Sequence, residues 1–441
     1  MVATTSRPEP LDGARNRWKT GRVVLHDPDA PQAHPRELEG APPGAAGGYR
    51  LDDRYRRDDG TVFLSGAQAL ARLPYEQLRI DRAAGLRTAA YVTGYPGSPL
   101  AGYDGDVAHV AALAHDDGLR LVHQPGMNEE LAATAVMGAQ LSVTLDSCRY
   151  DGVLGIWYGK TPGLDRASDA LRHAVFAGTA PHGGAVALIG EDPSAKSSTL
   201  PSSCDATAIG LHLPLFFPGD VQDALHLGRH AIALSRAAGL WTAMKVVEAV
   251  ADGTGTVALH TDGFAPLLPE VEVDGRPFVP RPTGRLLTPF TLDTEREFHE
   301  VRLDIARQYV ALNGLDRITV RGPSDRIGIV AAGSTYREAR EALRAVGLGT
   351  DDDLRAAGVR LLQVAVTWPL NDGLVREFAT GLAEVLVVED KDPVLETAVM
   401  SALYASAERP VVTGKRAPDG TRLLPAHGSL TADLIGPALR A

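Results

Sequence analysis

Two adjacent carboxylates, Glu129 and Glu130, precede a run of small apolar residues in the segment HQPGMNEELAATAVMGAQ (residues 123–140). Asn128 is a favoured N-cap residue, so the segment is predicted to be a helix that begins here. Acidic residues in a first turn complement the helix dipole, which accounts for both carboxylates on local grounds. The small residues behind them suit the close approach of another backbone or of a flat ligand. A carboxylate at the start of such a helix is placed to exchange a proton with that ligand.

A second segment, TGYPGSPLAGYDGD (93–106), combines two prolines and four glycines directly after an apolar run. One interpretation is a sharp turn that passes the chain to the next helix. The other is a backbone shaped for close approach to a ligand, with the Ser98 hydroxyl presented to it. Both interpretations agree with the residues alone.

A third segment, IWYGKTPGLDRASD (156–169), contains Gly159-Lys160-Thr161 and invites comparison with phosphate-binding loops. That motif needs glycine where Leu154 stands, and Pro162 follows at a point where the helix of the motif should already be running. We therefore expect no nucleotide-cradling loop there, although Lys160 is available to a bound anion.

A fourth segment, 189–205, follows another apolar run and is crowded with hydroxyl side chains. It is either a solvated loop or the wall of a pocket. The hydroxyls belong to Ser194, Ser197, Ser198, Thr199, Ser202 and Ser203.

The elements that must position these loops are predicted by an alternation of apolar, β-rich runs with helical patterns. Alternation of this kind indicates an α/β fold with a mostly parallel sheet covered by helices on both faces. In such sheets ligands bind beyond the carboxyl ends of the strands, which is where the four segments lie. The first set of strands is expected at 88–96, 152–159, 184–192, 213–218 and 241–250.

Four regions are predicted along the chain. Residues 1–48 mix Pro, Gly, Ala and charge without periodicity, which is typical of a flexible arm. Residues 49–265 are expected to form the larger α/β domain, 266–322 a Pro-rich linker with a connecting helix, and 323–441 a smaller α/β domain. Strands of the smaller domain are expected at 326–334, 359–370, 384–392 and 409–415.

Composition excludes several classes of partner. The 441 residues carry a net charge of -11 without a prominent Lys/Arg cluster, which disfavours nucleic acid. The two cysteines, Cys148 and Cys204, stand far apart and in no C-x-x-C pair, so this chain alone builds neither an iron–sulfur cluster nor a thiolate metal site. No apolar leader or membrane-length apolar run occurs, and we expect a cytoplasmic protein with no membrane partner.

Taken in order, these motifs resemble the N-terminal portion of indolepyruvate:ferredoxin oxidoreductase, within the thiamine-diphosphate-dependent 2-oxoacid:ferredoxin oxidoreductases. The resemblance covers nearly everything after residue 50 and rests on colinear segments. They are GYPGSPLAGYD, NEELAATAVMGAQ, YDGVLGIWYGKTPGLDRASDALRHA, GTAPHGG, AKSSTLP, TWPL and LPAHGSL. The family implies that the first domain binds the aminopyrimidine ring of thiamine diphosphate and that the second is a transketolase-C-terminal-like α/β domain.

The resemblance also implies roles for individual residues. Glu129 matches the catalytic glutamate that hydrogen-bonds a pyrimidine nitrogen of the cofactor, with Glu130 as the poorer match. The segment YPGSP matches the family loop that lies near the substrate and the reactive ring. The cofactor-binding residues implied are Gly94, Tyr95, Pro96, Ser98 and Glu129, and the substrate-binding residues implied are Ser98, Lys160, Ser197 and Ser198.

One departure from the family pattern predicts a partner. Thiamine enzymes hold the diphosphate through a divalent metal bound by G-D-G and a later Asn, and this chain has no G-D-G. We therefore expect no metal site here, and expect the magnesium, the diphosphate and the iron–sulfur clusters on a partner chain of a hetero-oligomer.

The resemblance implies oxidative decarboxylation of an aryl or branched 2-oxo acid to an acyl-CoA, with coenzyme A as acyl acceptor and ferredoxin as electron acceptor. The alternatives are acyl or ketol transfer on the same half-site, and a non-catalytic paralogue that serves as a binding or regulatory subunit.

Overall fold

The computed structural model describes residues 49–196, 200–261, 263–407 and 409–440. The predicted arm at 1–48 lies outside them, as do Ser197 and Ser198. Tyr49–Pro269 and the residues from Val279 onward form one compact unit. The segment Glu270–Phe278 belongs to a separate unit and contains a short antiparallel strand pair.

Strands and helices alternate along most of the described chain. The strands are β1 (Asp59–Ser65), β2 (Thr88–Gly94), β3 (Arg120–His123), β4 (Gly152–Lys160), β5 (Ala185–Glu191), β6 (Leu215–Phe216), β7 (Trp241–Val247), β8 (Thr254–His260), β9 (Glu272–Val273), β10 (Arg276–Pro277), β11 (Arg317–Val320), β12 (Ile327–Ala332), β13 (Val359–Val364), β14 (Val366–Trp368), β15 (Glu384–Val388) and β16 (Val411–Thr413). The α-helices are α1 (Asp53–Arg56), α2 (Gly66–Ala83), α3 (Tyr103–Asp116), α4 (Glu129–Leu141), α5 (Thr161–Ala177), α6 (Asp205–Gly210), α7 (Val221–Ala238), α8 (Glu248–Ala251), α9 (Phe290–Glu297), α10 (Leu303–Leu312), α11 (Gly333–Ala345), α12 (Asp351–Ala357), α13 (Asp372–Ala379), α14 (Val394–Leu403) and α15 (Ala432–Ile435).

The larger sheet has the strand order β14-β6-β7-β5-β4-β2-β3. Every neighbouring pair in it is parallel except β14 with β6. Its central strands β5 and β7 are buried along their whole length, as expected of strands covered by helices on both faces. The predicted α/β class is confirmed. Strand β3 was not predicted, because its four residues include only one that is buried.

The second sheet has the strand order β11-β13-β12-β15-β16. It is parallel apart from the pairing of β11 with β13. Helices α11 and α15 pack on it around a core that includes Leu343, Leu354 and Ile435.

The strand predicted at 359–370 is wrong in one respect, because two strands form there and they belong to different sheets. Strand β13 stays in the second sheet, whereas β14 pairs antiparallel with β6 of the larger sheet. The carboxylate of Asp316 accepts hydrogen bonds from the backbone N–H groups of Ala365 and Val366, at 2.8 and 3.1 Å. These donors lie where the chain leaves one sheet for the other, so a buried side chain satisfies them in place of a ladder partner.

Buried ion pairs join α2 to α7 on one face of the larger sheet. Glu76 receives Arg72 at 2.6 Å and Arg229 at 2.5 Å, and Arg236 holds Asp81 through two nitrogens at 2.7 and 2.8 Å. Burial alone would raise the pKa of Glu76, but the two guanidinium groups hold it below its usual value. Loss of one partner would leave a buried charge uncompensated, so these pairs fix how the two helices pack.

No helix among the described residues combines the length and the apolar character needed to cross a bilayer.

We expect Asp316→Asn to change how stability depends on pH. Burial raises the pKa of Asp316 to about 6, so the folded state favours the neutral acid. The stability that the neutral Asp316 side chain contributes is fully present below the unfolded pKa of about 4. It is lost as the pH rises through 6. Asparagine keeps the acceptor oxygen without ionising. Between pH 4 and pH 7.5 the variant should therefore gain about 2–2.5 kcal/mol relative to the parent. Denaturant unfolding of both proteins across this range measures it, and a difference independent of pH would contradict the assignment.

Candidate functional site

The first turn of α4, the end of β4 and the loop after β2 meet at the carboxyl ends of the parallel strands. The N–H of Tyr95 donates to the carbonyl of Tyr158 at 3.0 Å, and that of Gly126 donates to the carbonyl of Gly94 at 2.7 Å. These bonds extend the strand pairing beyond β2 and fix the loop that leads into α4.

Helix α4 begins at Glu129, as predicted, and the Asn128 side chain caps it by accepting a hydrogen bond from the N–H of Leu131 at 2.8 Å. The two acids have different surroundings. Glu129 is 8% exposed, whereas Glu130 faces solvent. The buried indole N–H of Trp157 donates to the Glu129 carbonyl at 2.9 Å, which joins the first turn of α4 to β4.

The carboxylate of Glu129 lies against the first turn of α5. A methyl group on Gly163 would stand 2.6 Å from its Oε1 and 2.7 Å from its Cγ, so a larger residue there would displace the Glu129 side chain from this position. The exposed Arg166 lies one turn further along α5, with its Nε 4.0 Å from Oε2. The result is a carboxylate in a glycine-walled notch with one cation at its entrance.

Helix α4 packs closely against β4 at a glycine of the strand. A methyl group on Gly155 would stand 2.4 Å from Cγ1 of Val136. At the far end of the helix, the buried Gln140 side chain donates to the carbonyls of Val153 and Gly184, at 2.7 and 3.0 Å. The close neighbours of α4 are therefore β4 and α5 of this chain.

The loop after β2 lies over the end of β4. A methyl group on Gly97 would stand 3.3 Å from Cδ of Lys160, so the lysine stem packs along this loop. Ser98 is the next residue, joined to Pro99 by a cis peptide bond. The Lys160 ammonium is half-buried and makes no hydrogen bond or ion pair with any residue that the structure describes.

The structure therefore groups most of the sequence-predicted site residues around the end of β4. The loop that carries Gly94, Tyr95, Pro96 and Ser98 packs on the Lys160 stem at Gly97, and Glu129 lies beside Gly159, where an added methyl group would stand 3.5 Å from its Cγ. Ser197 and Ser198 lie outside the described residues, so their assignment as substrate-binding residues stays a prediction.

Sequence reasoning missed Gly163, Arg166 and Trp157. The signal for the first two was present, because residues three apart in a first helical turn share a face. The argument from Pro162 was wrong: α5 begins at Thr161, and a proline is well tolerated in its first turn. The other part of that argument holds. The glycine that the phosphate-binding motif requires is replaced by Leu154, which is a buried residue of β4.

Three potential metal ligands, Glu191, Cys204 and Asp205, lie together at the end of β5. The ammonium of Lys245 stands between the two carboxylates, 2.9 Å from Glu191 and 2.7 Å from Asp205. Burial opposes its charge, but the two acids hold the pKa of Lys245 well above its usual value. Burial also raises the pKa of the Cys204 thiol, which makes it a poor ligand. This cluster holds a side-chain cation.

Comparisons with known proteins found a matching family and several relatives. The family described as the indolepyruvate ferredoxin oxidoreductase middle domain matches residues 316–424. Six curated relatives match, and those of Methanothermobacter thermautotrophicus and Thermococcus kodakarensis are named indolepyruvate oxidoreductase subunit IorA. The first is 27% identical over 384 residues, 87% of this chain and 54% of the relative. The second is 27% identical over 360 residues, 80% of this chain and 49% of the relative. The chain thus spans about half the length of these relatives, and the predicted resemblance is confirmed.

A solved structure shares the fold. It is 2-oxoglutarate:ferredoxin oxidoreductase from Magnetococcus marinus with 2-oxoglutarate, coenzyme A and succinyl-CoA bound. The TM-score is 0.62 at 15% identity, covering 87% of this chain and 65% of that chain.

We expect Gly155→Ala to destabilise the protein, because its methyl group would displace Val136 and lift α4 from β4. Overpacking of this kind costs about 1–3 kcal/mol. Gly138→Ala is the matched control. Gly138 lies on α4, and no atom lies within 4 Å of the carbon that this substitution adds. That change should raise stability by about 0.5–1 kcal/mol. Chemical denaturation measures both, and equal effects would contradict the close contact.

Proposed function

We propose that this chain is one subunit of a thiamine-diphosphate-dependent 2-oxoacid:ferredoxin oxidoreductase, with Glu129 as the residue that activates the cofactor. The single observation that carries the proposal is the buried Glu129 carboxylate in its glycine-walled notch, at the carboxyl ends of a parallel sheet. The names of the relatives and the shared fold support the same function.

The aminopyrimidine half of the cofactor is proposed to bind at this notch. The backbone of Glu129 is fixed by the capped helix start and by the hydrogen bond from Trp157 to its carbonyl. From this position Glu129 would share a proton with a ring nitrogen of the bound cofactor, which is the task of a general acid/base. When bound, thiamine diphosphate supplies the carbon centre that attacks the 2-oxo carbon and takes up the electrons of decarboxylation.

Lys160 and Ser98 are proposed to bind the carboxylate of the substrate. The supporting observation is the half-buried ammonium without a partner among the described residues, packed on the loop that carries Ser98. An unpaired cation in such a place favours an anionic ligand. Ser197 and Ser198 are included in this proposal on the family resemblance alone.

A partner chain is proposed to complete the site. The sequence has no G-D-G to bind the metal and the diphosphate, and no cysteine pair for iron–sulfur clusters. Around Glu129 the surface is unusually apolar: Tyr95 is 46% exposed, Met127 88% and Leu131 53%. Large apolar residues grouped at a mouth of this kind are typical of a surface that another protein covers. In the hetero-oligomer the partner holds magnesium, diphosphate and clusters.

The substrate proposed is an aryl or branched 2-oxo acid, in line with the indolepyruvate in the names of the relatives. The products are carbon dioxide and an acyl-CoA, and two electrons pass through the partner's clusters to ferredoxin.

The test is the rate of 2-oxoacid-dependent ferredoxin reduction by the complex with its partner, in the presence of thiamine diphosphate, magnesium and coenzyme A. We expect Glu129→Gln to lower kcat by about 10²–10⁴-fold, because the amide cannot exchange the proton. Glu130→Gln is the matched control and should keep full activity, since that side chain faces solvent.

Full activity of Glu129→Gln would contradict the assignment of Glu129 as the residue that activates the cofactor. Consumption of 2-oxo acid without ferredoxin reduction would point to acyl or ketol transfer. An intact complex without any turnover would point to a non-catalytic subunit.

Lys160→Gln tests substrate binding. We expect the KM for the 2-oxo acid to rise at least tenfold with a smaller change in kcat, because loss of a charge-assisted hydrogen bond weakens binding of the carboxylate. Calorimetric binding of thiamine diphosphate to the complex should be unchanged. A variant that loses cofactor affinity and keeps its KM would place Lys160 against the cofactor instead.

A further inference from the structure

A polar cavity of about 530 Å³ opens between α7, α11 and the strand pair β11 and β13. Four arginines line it, namely Arg317, Arg337, Arg340 and Arg344. None of them belongs to the Glu129 site. For a chain with a net charge of -11, this is a marked local concentration of guanidinium groups.

Three of the arginines have a carboxylate on one side. Arg340 is 2.8 Å from Asp351, while Arg337 pairs with Asp220 and Arg344 with Glu341. A guanidinium has five N–H donors, so one carboxylate leaves several of them for a ligand. Each of these pairs lies on or beside α11.

Arg317 is different. Its only hydrogen bond to a described residue is to Oε1 of Gln363 at 3.4 Å, on the neighbouring strand, and no described carboxylate lies within ion-pair distance. It is therefore the guanidinium in this cavity that is most available to an anion.

A second, smaller cavity of about 130 Å³ adjoins the first and shares Asp223, Arg317 and Gln363 with it. Its wall is less polar, with Phe217 and the imidazole of His226 among the lining residues. The His226 ring meets the His230 ring edge to face, with 4.7 Å between ring centroids, and the residue is exposed on its other side, where a ligand could contact it. Arg317 therefore stands between a polar chamber and a chamber suited to a flat ring.

We propose that the joined cavities bind a nucleotide, with the phosphates held by Arg317 and Arg340 and the base placed beside Phe217 and His226. Guanidinium groups match phosphate oxygens in pairs of parallel hydrogen bonds, which favours phosphate over a diffuse charge. The larger cavity alone lies within the range of small-ligand sites. Asp223, on the shared wall, offers an acceptor to the hydroxyl or amino groups that a nucleotide carries. This proposal does not rest on the function proposed above.

The test is calorimetric titration of the purified full chain with ADP, in a buffer free of phosphate, with adenosine and inorganic pyrophosphate as partial ligands. ADP should bind at least tenfold more tightly than either partial ligand. Arg317→Gln should weaken ADP binding at least tenfold. His226→Ala should weaken ADP binding without changing pyrophosphate binding.

Arg296→Gln is the matched control, because Arg296 is exposed, is paired with Asp293 at 3.0 Å and does not line either cavity. It should bind ADP as the parent does. An equal loss of ADP affinity in Arg296→Gln and Arg317→Gln would mean that ADP responds only to the net charge of the protein. That result would overturn the proposal. It would also be overturned if the parent bound no ADP, or if Arg317→Gln bound ADP as tightly as the parent. Repeating the titration in Glu129→Gln separates this outcome from the catalytic one, because ADP binding should survive there.

Discussion

The contact between α4 and β4 at Gly155 is the constraint on which the rest of the site depends. Val136 approaches the strand so closely that no side chain larger than hydrogen fits between them. Gln140 fixes the far end of the helix by bonding to Val153 and Gly184, and Asn128 fixes its start. With both ends held, the first residue of the helix has one position relative to the ends of the strands. That residue is Glu129.

Charge is treated differently in the core and at the site. Buried groups such as Glu76 and Lys245 are each held between two opposite charges, so neither leaves an uncompensated charge in the interior. Lys160 is half-buried and has no such partner among the described residues. The lack of such a partner supports the substrate-binding role proposed for Lys160.

Much of the fold follows from local sequence, and its exceptions have physical causes. The alternation of apolar runs and helical patterns predicts β2, β4, β5 and β7, and Asn128 predicts where α4 begins. The short strand β3 carries too little buried surface to be recognised. The run at 359–370 is mostly apolar, and its polar residues Arg360, Gln363 and Thr367 do not mark where one sheet ends and the other begins. At the site, small residues predict a close neighbour but not which one, and Arg166 looks like any exposed arginine until the fold places it beside Glu129.

The crossing of β14 into the larger sheet has a consequence for how the chain can be divided. Strand β6 has β7 on one side and β14 on the other, so a polypeptide that ended before residue 366 would leave the outer backbone groups of Leu215 and Phe216 without partners. An open strand flanked by buried aromatic residues is a template for pairing with another molecule. The two α/β domains are therefore joined by the pairing of β14 with β6 as well as by the connecting chain. Expressed apart, the first half would tend to aggregate through that edge.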